Sequence, residues 1–220
     1  MQAGDRKAEV SLPLRLLVFG ILFDAAAFAY PPLSLGAADG LRMRLFHLAR
    51  VAAVALPLLA IFSSDLAARV GGEDGKSDYA RRAMLFGAAA MPLVLTAAAF
   101  TRIELRMLLP LPALAVVYAA LSASLLARRC APRPELWGWR LVAAGTAAGL
   151  VMGLYAFDAP LLGNFAGAYD GVLRATIRAA HEAAIVAGMA LISLCQVFGR
   201  KGAADEDRPH RHRRRQAADA

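Results

Sequence analysis

The chain has 220 residues, of which 59% are hydrophobic, and a formal net charge of +8. A soluble domain of this length would be nearer half apolar. The excess is gathered into long continuous blocks, which excludes an ordinary globular enzyme, and the positive charge is scattered in short connections, which excludes a basic domain able to grip nucleic acid.

The predicted blocks, in chain order, are Leu14–Tyr30, Leu45–Phe62, Ala83–Phe100, Met107–Ala127, Leu141–Phe157 and Ala179–Phe198. Each approaches the roughly 20 residues that a helix needs to cross a hydrocarbon core of about 30 Å. They run without alternation and are rich in Ala and Leu, so they read as helices rather than barrel strands. The expected fold is all-α, a polytopic transmembrane bundle of six spans. Residues 1–13 form a polar lead, 14–198 the membrane domain, and 199–220 a basic tail too polar to build a core. The connections include "SSDLAARVGGEDGKSDYARR", expected as a polar Gly-rich loop, and "ARRCAPRPELWGWR", expected as a basic Pro-rich one.

Orientation follows from the placement of Lys and Arg. With the N-terminus inside, the inner side carries 18 of them, and the outer side six: Arg42, Arg44, Arg102, Arg106, Arg174 and Arg178. Both termini are therefore expected in the cytoplasm. The compact, Ala- and Arg-rich chain suggests a bacterial inner membrane. A second reading treats residues 1–29 as a signal peptide, since basic residues and an apolar core precede Ala27-Phe28-Ala29. Asp24 beside that core speaks against it, and Pro31-Pro32 ends the first helix under the preferred reading.

Asp24 lies near the middle of the first block, where a charge is costly: about 2.5–3.5 kcal/mol on the most lenient scale. Arg50 in the second block reaches similar depth from the opposite direction and is its expected partner. His47 lies one turn farther out. In the sixth block "LRATIRAAHEAA" places Arg174, Arg178 and His181 on one helix face. Asp24, His47, Arg50, Arg174, Arg178 and His181 are accordingly the candidate ligand-binding residues.

Arg would hold an anionic or polar ligand and His would adjust protonation. The leading expectation is a non-enzymatic protein that binds or transports such a ligand through an outward-facing site. One alternative is an electron-transfer subunit carrying haem b on His47 and His181. Another is an accessory subunit of a larger complex. The bland reading of these side chains is that they snorkel to the interface or fix helix packing.

Other chemistry has little support. No phosphate-binding loop, zinc-protease motif or nucleophile elbow occurs, and "HEAAI" lacks the second histidine. Ser122, Ser124 and Ser193 lie far from both histidines. His210 and His212 are two ligands without a third. Cys130 and Cys195 form no C-x-x-C pair and read as reduced structural residues. The tail cluster "RPHRHRRR" can meet anionic lipid headgroups. Gly145, Gly149 and Gly153 line one helix face and invite a close-packed neighbour, expected from the same chain. Pro110 and Pro112 suit the first turn of the fourth span.

Overall fold

A computed structural model describes residues 3–29, 40–70, 75–156, 176 and 178–198. The described residues form helices α1 (Ala3–Ala29), α2 (Gly40–Arg69), α3 (Gly75–Phe100), α4 (Pro110–Cys130) and α5 (Arg133–Ala156), with a 3₁₀ turn at Ile103–Leu108 between α3 and α4. The sixth helix, α6, covers Arg178–Phe198. The described residues are thus all-helical apart from short turns. Among the described residues, five stretches are long and apolar enough to cross a membrane: Ser11–Ala29, Gly40–Arg69, Ser77–Phe100, Ile103–Cys130 and Arg178–Phe198. The fifth predicted block, Leu141–Phe157, is helical as far as Ala156, where the described residues stop.

Both loops expected to be long are shorter. Ser63–Arg69 continues α2, and α3 begins at Gly75. Leu66, Ala67, Ala68 and Arg69 are strong helix formers, so polarity alone did not end the helix. The first turn of α3 holds Asp78 against Arg81 and Arg82, each at 2.7 Å, three and four residues on. The Pro-rich connection shrinks to Ala131–Pro132, because Pro134 falls in the first turn of α5, where its missing N–H has no intrahelical partner to lose. Pro110 opens α4 in the same way. Arg174 and the tail after Gly199 lie outside the described residues.

Successive helices pack antiparallel. Gly20 of α1 meets the Ala53 carbonyl of α2, where a Cβ would have no space. Gly87 of α3 faces Pro112 and Val116 of α4. Gly138 and Gly188 face each other across α5 and α6. The core centres on α2: Leu45, Phe46, Ala49, Leu59 and Leu66 are buried, against Met84 and Ala98 of α3, Ala120 of α4, and Trp139 and Val142 of α5. The Phe46 ring meets Phe23 and Phe100 edge-on, with centroids 5.9 and 5.1 Å away, tying α1, α2 and α3 together. Burial is uneven. The apolar window of α2 is 56% buried, that of α1 17%, and that of α6 11%. The two end helices are attached along one narrow stripe each.

Candidate functional site

On α1 the buried stripe consists of Pro13, Gly20 and Ala27, spaced so that each returns to nearly the same face. Asp24 follows Gly20 by one turn and sits at the margin of that stripe. Because Gly20 lets the α2 backbone come close, the Asp24 carboxylate reaches Arg50. Arg50 Nε donates to Asp24 Oδ1 at 2.6 Å. The side chains keep 20% exposure for Arg50 and 44% for Asp24, so the pair lies at a lipid-facing edge rather than in the core. Asp24 lies five positions before Ala29, where the described part of α1 stops, about 7–8 Å of helix.

The two histidines part ways. His47 is exposed on α2, beside exposed Leu48 and Val51, on the face turned from the core. His181 is half-buried in the groove that the α5 glycines leave. Its Nδ1 lies 2.6 Å from the Gly145 carbonyl oxygen. A carbonyl only accepts, so Nδ1 carries the proton. The ring lies over Gly149, while Gly145 also receives Ile185, and Gly153 has nothing near it. The glycine face of α5 therefore meets α6 of the same chain, from Gly138 to Gly149. Arg178 is exposed one turn ahead of His181. Of the predicted set, the structure joins Asp24 with Arg50, and leaves His47, Arg178 and His181 in separate settings.

The strongest polar assembly was not anticipated. At the opposite end, Arg69 grips Glu135 with both arms of its guanidinium: Nη1 to Oε2 at 2.9 Å and Nη2 to Oε1 at 2.5 Å. Glu135 is 1% exposed. Arg69 Nη2 also lies 3.2 Å from Asp65, one turn back on α2. Gln196 of α6 donates to the same Asp65 carboxylate at 3.4 Å. One cluster thus ties α2, α5 and α6. Its sequence signals are faint: the Asp65/Arg69 spacing of four residues, and an acid in the first turn after a proline. Nearby, Arg140 stacks over the Trp137 ring at 4.9 Å, and the buried Trp139 Nε1 has no acceptor.

Among the described residues, no group of three or more His, Cys, Asp or Glu side chains is arranged to hold a metal ion. A concavity lined by described residues, Leu14, Arg15, Val18, Phe19 and Leu22, is a shallow groove on the outer face of α1, remote from Asp24 and both histidines in its lining. Comparison with family models, with curated proteins and with solved structures returned no match.

Proposed function

We propose that the chain is a non-catalytic integral membrane protein that acts as an accessory subunit, packing against a larger assembly, with both termini on the cytoplasmic face of a bacterial inner membrane. One observation carries this reading. Four polar contacts join helices to one another: Asp24 with Arg50, Glu135 with Arg69, Asp65 with Gln196, and His181 with the Gly145 carbonyl. Removing any of these from its partner to serve a cargo would leave a polar group unsatisfied in a poorly solvating medium. The sparsely buried α1 and α6 supply long apolar faces for lipid or for neighbouring subunits.

The test uses the full chain, tagged and expressed at native level, solubilised gently and run on a native gel. An accessory subunit migrates in a complex of fixed stoichiometry, and its deletion lowers the steady-state amount of the co-migrating proteins. Migration as a lone chain, with no loss of any other membrane protein on deletion, overturns the proposal.

The electron-transfer reading retains one specific support. A ligating histidine commonly donates its other ring nitrogen to a backbone carbonyl, which is the state of His181. Exposed His47 offers no comparable arrangement. A Soret band in protein from haem-replete cells, lost in His181→Ala, would establish that reading, and a colourless preparation would end it.

A further inference from the structure

The start of α5 has two unlike faces. Glu135 and Trp139 are buried against the bundle. On the other side, at 3.6 residues per turn, Trp137, Arg140, Ala144 and Val151 all fall within about 40° of Arg133 around the helix axis. Arg133, Trp137, Ala144 and Val151 of this stripe are exposed, and Arg140 is partly so. Read from the helix start inward, the stripe is cationic, then aromatic, then apolar. The acid of the same turn does not neutralise it, because both oxygens of buried Glu135 are held by Arg69. Asp65 is likewise engaged, by Arg69 and Gln196.

Arg140 is the centre of the stripe. Its guanidinium carbon lies 4.9 Å from the centroid of the exposed Trp137 ring. A ring face attracts the cation and restrains it, yet leaves the N–H donors of the guanidinium for hydrogen bonds. Among the described residues, no hydrogen bond or ion pair occupies those donors.

We propose that the Arg133–Trp137–Arg140 stripe of α5 binds an anionic phospholipid, with the phosphate on Arg140, the headgroup charge attracted by Arg133, and an acyl chain along Ala144 and Val151. The planar guanidinium fork matches phosphate oxygens two at a time. Tryptophan favours the headgroup level of a membrane, and basic groups beside membrane helices attract anionic headgroups there. The apolar continuation selects the lipid as occupant, since a soluble phosphate ester would gain nothing from Ala144 or Val151. This inference goes beyond the accessory role and requires only that the helices sit in a bilayer.

The experiment measures binding to the purified full chain in neutral detergent by native mass spectrometry. The probes are phosphatidylglycerol, phosphatidylcholine and glycerol 3-phosphate. The expected result is saturable binding of phosphatidylglycerol and weaker binding of phosphatidylcholine, whose choline cation would face Arg133. Arg140→Gln should weaken phosphatidylglycerol binding about tenfold, as loss of a charge-assisted hydrogen bond does. Arg140→Lys keeps the charge, loses the fork and should weaken it by a smaller factor, which covers the case of a poorly folding Arg140→Gln. Trp137→Leu keeps an apolar side chain but removes the ring under Arg140, and should weaken binding severalfold, whereas Trp137→Phe should be milder. Arg102→Gln, at the other end of the bundle, removes the same charge and should leave binding unchanged. An equal loss in Arg102→Gln overturns the site, as does binding that Arg140→Gln and Trp137→Leu leave intact, or equal binding of the two lipids. Displacement of phosphatidylglycerol by equimolar glycerol 3-phosphate overturns the lipid as occupant.

Discussion

Arg69 at the end of α2 holds the buried carboxylate of Glu135 through both oxygens, at 2.9 and 2.5 Å. Asp65 meets the same guanidinium at 3.2 Å from its own helix, so Glu135 is the carboxylate that ties Arg69 to α5. Arg69→Ala leaves Glu135 charged and buried, which typically costs about 3–5 kcal/mol. Glu135→Gln should be milder, because an amide oxygen still accepts. Glu135→Ala with Arg69→Ala together should cost less than the sum of the single changes. Thermal melting of the purified variants reads the cycle, and strict additivity would show that the fork contributes nothing.

Asp24 and Arg50 make the same kind of pair in a more exposed place. With the acid 44% exposed, the coupling should be smaller, about 1–2 kcal/mol, between the ranges for surface and buried pairs. Asp24→Asn should be milder than Asp24→Ala, as the amide can still accept from Arg50 Nε. Melting temperatures of the two singles and the double variant decide it. A coupling of zero would mean that the contact is incidental.

Glycine positions separate contact from sequence pattern. Gly20→Ala places a methyl on the Ala53 backbone carbonyl, which cannot swing aside. Gly149→Ala places one on the His181 ring. Both should destabilise by about 1–3 kcal/mol, as overpacking does. Gly153→Ala, on the same face of α5 with nothing within 4 Å, should be neutral or slightly stabilising, since alanine is the better helix former. If Gly153→Ala harms as much as Gly149→Ala, α6 does not seat where described.

Orientation is open to direct labelling. In a Cys130→Ser, Cys195→Ser background, a cysteine at exposed Gly75 should resist an impermeant thiol reagent in intact cells, and one at exposed Thr101 should react. The reverse pattern would invert the topology.

The helices themselves were legible because a bilayer demands long uninterrupted apolar runs, and five such runs are present. Asp24 and Arg50 were legible because two opposite charges at similar depth in a short hairpin have few other partners. Helix ends were not. Asp65, Leu66 and Arg69 looked like loop because they are polar in part, yet a helix leaving the membrane goes on until glycine or proline stops it. That misreading hid the Arg69–Glu135 fork, whose two halves lie 66 residues apart. The similar depth expected of His47 and His181 did not bring them together. Depth is readable from sequence, whereas rotation about each helix axis depends on neighbours, and His47 turned outward while the glycines of α5 drew His181 in.

The thirty residues of α2 span about 45 Å, roughly half as long again as the hydrocarbon layer. This helix must lean, or carry its Arg69 end beyond the acyl chains. Because α1 and α3 both pack along α2, its slant is transmitted to them. Bilayer thickness therefore becomes a variable of the protein's state: a thicker membrane lets α2 stand more upright, and a thinner one tips it and raises the cost of the mismatch by fractions of a kcal/mol per Å. Reconstitution into lipids of graded chain length should change its melting temperature with an optimum, and that optimum identifies the membrane for which this length was selected.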